Sequence, residues 1–268
     1  MPELTLVTFN IHGGMLTRGI SVPRLFSLQS RDEAASYGAY DVVAALSDLE
    51  ADVVVIQESW WPDGEEAAIY KVAANRGATV HEAIFGRGAV DPYPHMTRRF
   101  AHDDGRFGIA VLSNLPSKLV GTLAVGRVPA DPATGRAALH VEVDVDGTPV
   151  DLVALHLTSR LPYGPPIQLR RLRRLLPPPG RPGVLCGDFN FWGPPVQAML
   201  PGWRRTVRGR TWPAHRPHSQ IDHVLVRGDV EVMTAEVLDD VGSDHRPVRV
   251  RLRIDEHGPT NGGSSHAA

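Results

Sequence analysis

The chain has 268 residues, 42% of them hydrophobic, and a formal net charge of −2. That is enough apolar material for a large core in one domain, and the charge excludes a global field drawing the protein onto a polyanion. No window holds the ~18 consecutive apolar residues that a membrane-spanning helix needs.

Met1-Pro2-Glu3-Leu4-Thr5-Leu6 carries no basic stretch and enters a strand pattern at once, so no signal peptide is expected. Cys186 is the only cysteine and has no internal disulfide partner. Both features fit a cytoplasmic protein. Lys71 and Lys118 are the only lysines, so nearly all positive charge is arginine. Two local patches stand out: Arg170, Arg171, Arg173 and Arg174, then Arg204, Arg205, Arg208 and Arg210.

Residues 4–11 alternate weakly and read as a first strand. Residues 39–50 set Val42, Val43, Leu46 and Leu49 on one helical stripe. The β-branched run of residues 52–57 predicts a strand covered on both faces. Residues 67–76 read as a helix that Gly77 caps, and residues 108–112 as a strand. Strict alternation over residues 138–145, the turn signal Asp146-Gly147 and the return over 150–157 predict a hairpin. Residues 167–176 form an Arg-rich amphipathic helix stopped by Pro177-Pro178-Pro179-Gly180. Strands at 184–186, 221–226 and 248–254 complete the pattern. One domain, residues 1–254, is expected, with residues 255–268 a disordered tail by composition. Two irregular stretches, 13–37 and 86–106, are long enough to be functional or disordered; the second carries Tyr93, His95, Arg98, Arg99 and His102.

Polar clusters recur beside the apolar runs. Thr8-Phe9-Asn10-Ile11-His12, Ile56-Gln57-Glu58-Ser59, Leu155-His156-Leu157 and Gly187-Asp188-Phe189-Asn190 follow strands; Gln220-Ile221-Asp222-His223 and Ser243-Asp244-His245 precede them. Phosphoester hydrolysis needs a cation for developing charge, a base for water, and donors for phosphoryl oxygens. Glu58, Asp188, Asp222 and Asp244 are four carboxylates suited to a hard divalent cation. Asn10 and Asn190 offer carbonyl oxygen or amide donors, and His156 and His245 can act as acid, base or phosphate donor. The absence of a thiolate cluster and of a His-Glu-x-x-His helix disfavours zinc.

This ordered set resembles the endonuclease/exonuclease/phosphatase superfamily, with its deoxyribonuclease I-like fold, from Thr8 to about Leu252. The resemblance implies an α/β (α+β) four-layer sandwich of two mixed β-sheets flanked by helices, with Mg²⁺ or Mn²⁺ as cofactor. It implies that Glu58 binds the metal with help from Asn10 and Asp244. Asp222 would orient His245, Asp188 would position or activate water, and Asn190 and His156 would grip phosphate oxygens. His245 and Asp188 both qualify as the base.

Departures are informative. His223 stands where relatives often have an aromatic, and His156 where the abasic-site endonucleases have Tyr. The chain therefore sits nearer the nuclease, sphingomyelinase and phosphoinositide-phosphatase branches. His12 is not a general family residue and reads equally as a turn residue or a phosphate contact. Ser59-Trp60-Trp61-Pro62 predicts a surface position for tandem tryptophans, to stack on a base or wedge into lipid, with packing of one ring as the alternative. The expected substrate is a phosphodiester of nucleic acid, lipid head group or small molecule, nucleic acid being disfavoured by net charge. A phosphomonoesterase of the inositol-phosphatase type and a non-catalytic module on the same fold are the alternatives.

Overall fold

In a computed structural model, residues 1–14, 40–87, 105–130, 135–159 and 161–254 are described. Most of the 13–37 stretch, residues 88–104 of the second irregular stretch and the 255–268 tail lie outside them.

Among the described residues, twelve strands form two six-stranded sheets. The first has the order β11 (Val230–Val237), β12 (Val248–Ile254), β1 (Glu3–Asn10), β2 (Val53–Pro62), β4 (Gly105–Ser113), β3 (Thr79–Arg87). The second runs β5 (Ser117–Gly126), β6 (Arg136–Val145), β7 (Thr148–His156), β8 (Gly183–Asp188), β10 (Asp222–Arg227), β9 (Arg204–Arg205). Each contains one parallel pair, β1 with β2 and β7 with β8, among antiparallel neighbours. The sheets face each other across a Val- and Leu-rich core including Leu6, Val55, Val111, Leu152 and Val250.

Among the described residues, four α-helices cover the outer faces. α1 (Val42–Ser47) and α2 (Ala68–Arg76) bury Leu46, Ile69 and Val72 against Val7, Phe9, Val54 and Ile56 of the first sheet. α3 (Gly164–Leu172) and α4 (Gly193–Met199) bury Leu169, Leu172 and Val196 against Val153, Leu155, Leu185 and Leu225 of the second. The four-layer sandwich expected from sequence is therefore the observed architecture. Among the described residues, no helix is long and apolar enough to cross a membrane.

Boundaries shifted where local chemistry competed with periodicity. α1 spans six residues rather than twelve, its start set by Asp41, whose Oδ1 accepts the Ala44 N–H at 2.9 Å. α3 begins three residues early because Pro165 and Pro166 suit its first turn, where their missing N–H groups have no helical partner.

Candidate functional site

The two parallel pairs end at the same rim. Asn10 closes β1 opposite Gln57 of β2, and His156 closes β7 opposite Asp188 of β8. Asp222 opens the antiparallel β10 directly opposite Asp188. Crevices outside the carboxyl ends of parallel strands are the usual ligand sites of such sheets. Close approach of β7 and β8 depends on Gly187, where φ is 139° and a Cβ would come within 2.0 Å of the Leu155 carbonyl oxygen.

Glu58 departs from the sequence expectation. It is not at a strand end: β2 continues to Pro62, and Glu58 occupies a bulge between Gln57 and Ser59, with φ at 53°. The bulge re-aims its side chain off the pleat, so that Asn10 Nδ2 donates to Glu58 Oε1 at 3.2 Å. Because β2 runs on and pairs with Gly105–Gly108 of β4, Trp60 and Trp61 are buried, 8% and 3% exposed, and the expected surface position is wrong. Trp61 instead donates its indole N–H to Glu82 Oε2 at 3.0 Å.

Asp188 is the hub. Its Oδ1 accepts the Asn190 backbone N–H at 2.8 Å, and its Oδ2 accepts from the amides of Asn10 at 3.1 Å and Asn190 at 3.2 Å. Asn190, at φ 47°, also donates to the Leu157 carbonyl at 2.9 Å. Burial, reinforced by the nearby Asp222 charge, raises the Asp188 pKa to about 7 against the opposing pull of His245.

His245 Nδ1 lies 2.9 Å from Asp222 Oδ2, and its Nε2 lies 3.8 Å from Asp188 Oδ2. A carboxylate only accepts, so the proton sits on Nδ1. Burial works against charging this ring, but Asp222, Asp244 and Asp188 outweigh it and hold its pKa well above the ordinary value. His156 is the converse: burial, aided by Arg136 and His245, keeps it neutral, with Nε2 3.7 Å from Glu58 Oε1 and 3.6 Å from Asp188 Oδ2. Arg136 exerts that field from between the Phe85 and Phe107 rings, 5.3 and 5.5 Å from their centroids.

Asp244 completes the ring of carboxylates. Its Oδ1 faces His12 Nδ1 at 3.5 Å and His245 Nε2 at 3.9 Å. Burial alone would raise its pKa, but His12, His245 and the Trp212 indole N–H, 3.2 Å from Oδ2, leave it lowered. Ser243 Oγ donates to the Asn10 carbonyl at 2.7 Å and receives the His245 N–H, tying this segment to the end of β1. His12 holds φ 49°, its N–H donating to Asn10 Oδ1 at 2.9 Å.

All eight side chains singled out by the sequence thus meet at one rim. Sequence reasoning missed Trp212, because nothing in Thr211-Trp212-Pro213 marks it as a neighbour of a residue 32 positions later.

The donor set fits a hard divalent cation. Four carboxylates converge with imidazoles as the only titratable cations hydrogen-bonded or paired to them among the described residues, so oxygen donors predominate. Asp188, Asp222 and His245 each offer one ligand atom within 4.8 Å of the others. A cation centred on that trio would have to displace the short His245–Asp222 hydrogen bond, which favours the Glu58 side of the rim. Cys186 is buried in the core, its thiol pushed up by burial, and is no ligand.

The architecture has many solved counterparts. An endonuclease/exonuclease/phosphatase structure from Beutenbergia cavernae aligns with a TM-score of 0.65 at 22% identity, covering 95% of this chain and 72% of that one. The human Nocturnin catalytic domain with bound sulfate aligns with a TM-score of 0.63 at 15% identity, covering 95% and 94%. A mannosyl-6-phosphatase from Bacteroides thetaiotaomicron aligns with a TM-score of 0.58 at 16% identity, covering 94% and 100%. No curated protein matches the sequence closely. Residues 7–245 match the model of the Endonuclease/Exonuclease/phosphatase family, from before Asn10 to His245, and the chain belongs to that family.

Proposed function

We propose that the protein is a divalent-metal-dependent hydrolase of phosphodiesters. The observation that carries this reading is the Asp222–His245 pair standing beside Asp188, with Glu58, Asn10 and Asp244 around the same rim. Glu58 and Asp244 would hold Mg²⁺ or Mn²⁺. Asn10 would assist: one lone pair of its Oδ1 takes the His12 N–H and the second is left for a cation. The cation would neutralise charge developing on the phosphoryl oxygens.

The remaining roles belong to the protein's own groups. Asp222 fixes the His245 ring, so that its other nitrogen, Nε2, can present a proton to a phosphoryl oxygen. Asp188, with a pKa of about 7, accepts the proton of the attacking water. Neutral His156 orients the phosphate as a donor. Asn190, whose two amide hydrogens go to the Leu157 carbonyl and Asp188 Oδ2, holds Asp188 in place rather than gripping the phosphate. These assignments supply the preference between His245 and Asp188 that the sequence leaves open.

Three arginines of the two clusters are engaged within the protein, which favours a compact substrate over a long nucleic acid. Arg171 donates to the Val125 and Arg127 carbonyls, Arg204 to Val230 and Arg205 to Gln220. The backbones of Arg204 and Arg205 pair with Val226 and Leu225, while the Arg205 guanidinium turns back to Gln220, two residues before Asp222, and is tied up there. α3 starts after the rim end of β7, and the chain beyond it reaches Pro177, whose carbonyl accepts from Arg227 at the far end of β10 from Asp222, so the helix leads away from Asp188. A lipid head group or small phosphodiester is the substrate class this arrangement supports best, in a cytoplasmic setting.

The test is hydrolysis with Mg²⁺, Mn²⁺ or EDTA across plasmid DNA, RNA, bis-p-nitrophenyl phosphate, p-nitrophenyl phosphate, sphingomyelin and inositol phosphates. Metal-dependent cleavage of a diester supports the reading. Cleavage of monoesters alone moves the protein to the phosphatase branch, and silence without cation binding supports a non-catalytic module.

A further inference from the structure

Asp244 enters the rim from a loop, not from a strand. It lies between Ser243 and His245, ahead of β12, and a loop carboxylate can rotate unless something holds it. The holding group comes from the segment 211–220. Trp212 Nε1 donates to Asp244 Oδ2 at 3.2 Å, and the Ala214 N–H donates to the Asp244 carbonyl at 2.7 Å. One residue earlier, the Arg246 N–H donates to the Thr211 carbonyl at 2.9 Å, and Thr211 Oγ1 accepts the N–H groups of Ile221 and Asp222 at 3.3 Å. Consecutive residues therefore brace two of the rim carboxylates, Thr211 through the backbone at Asp222 and Trp212 through the side chain of Asp244.

The indole is itself set in place before any ligand arrives. Trp212 exchanges backbone hydrogen bonds with Ser219, 3.0 Å from its N–H and 2.9 Å to its carbonyl, and its ring meets His218 edge-on at 5.3 Å between centroids. With Oδ2 taken by the indole, Oδ1 is the oxygen turned toward His12 and His245, inside the rim.

We infer that Trp212 is a positioning residue that locks the Asp244 carboxylate with one oxygen presented to a divalent cation. The inference rests on the proposed metal dependence and deepens it: the tightness of cation binding is set partly by an aromatic residue that never touches the ion. A hydrogen-bond partner behind a ligating carboxylate is worth on the order of 10–100-fold in metal affinity.

The experiment is titration of the full chain with Mn²⁺ by calorimetry, for wild type, Glu58→Gln, Trp212→Phe and a protein with benzothienylalanine at position 212. That isostere keeps the ring and lacks the N–H, so it remains informative if the phenylalanine variant folds poorly. The expected result is a Kd about 10–100-fold higher in both position-212 proteins, with the isostere's melting temperature close to wild type. In an Asp244→Asn background the same replacements should add little, because the bond they remove no longer serves a ligating carboxylate. Wild-type affinity in the isostere, alongside weakened binding in Glu58→Gln, overturns the positioning role and leaves the metal site standing. Full additivity with Asp244→Asn also overturns it. Failure of the wild type to bind Mn²⁺ at all, or undiminished binding in Glu58→Gln, refutes the metal reading itself and this inference with it.

Discussion

The amide nitrogen of Asn10 donates to Asp188 Oδ2 at 3.1 Å, joining residues 178 positions apart and the rims of the two sheets. The same nitrogen donates to Glu58 Oε1 at 3.2 Å, so one side chain holds together two carboxylates that would otherwise repel. Asn10→Asp keeps the shape and turns the donor into a third acceptor. Turnover should fall by at least about 10²-fold, in line with losing a charge-stabilising donor. Steady-state kinetics on bis-p-nitrophenyl phosphate decide it, and a rate within twofold of wild type would remove Asn10 from the site's working parts.

Glu58→Gln tests the cation assignment. The side chain is partly exposed and lies outside the three apolar clusters, so the melting temperature should stay near that of the wild type. Mg²⁺-dependent hydrolysis should disappear. Retained, EDTA-sensitive turnover would move the cation elsewhere on the rim.

His245→Ala should lower kcat/KM by about 10²-fold or more, the scale of a lost proton-transfer group. Asp222→Asn should reproduce much of that loss, because an amide can donate to Nδ1 and so favours the wrong tautomer. If Asp222→Asn were fully active while His245→Ala was dead, the ring would be held by something other than Asp222.

Trp60→Ala and Trp61→Ala should each cost stability, about 3–5 kcal/mol for an aromatic deleted from a packed site. KM should be unchanged at temperatures where the variants remain folded. Urea unfolding beside KM measurements separates the two effects; a raised KM with unaltered stability would return these rings to the substrate.

His223 links stability to pH. Burial holds its pKa down to about 4, although its ring nitrogen lies 2.9 Å from the Phe191 carbonyl. Between that value and 6.5 the unfolded chain binds a proton that the folded chain refuses. Stability therefore rises with pH across this window; the contribution is complete above about 6.5 and is lost as pH falls toward 4. The full span corresponds to about 3 kcal/mol. Urea unfolding from pH 4.5 to 7.5 should show the slope, and His223→Phe should flatten it. An unchanged slope in the variant would assign the dependence to other groups.

The strands missing from the sequence reading are all at sheet edges. β3, β5, β9 and β11 terminate the two sheets, and none was expected, whereas the interior strands were. An interior strand is buried on both faces or one, which forces a β-branched run or a clean alternation onto the sequence. An edge strand such as β5, largely exposed from Ser117 to Ala124, carries no such constraint. α4 was missed because seven residues are too few to show a helical stripe.

The sequence by itself determined the chemistry: which carboxylates, imidazoles and amides are available, their order along the chain, and the apolar runs they adjoin. Those are local properties, written in residue type and spacing. Tertiary structure alone decided the bulge that aims Glu58, the bridge from Asn10 to Asp188, the burial of Trp60 and Trp61, and the reach of Trp212 to Asp244. Each depends on how one strand or loop meets another far away in sequence. Such pairings are settled by the packing of whole sheets, which no short window of residues encodes.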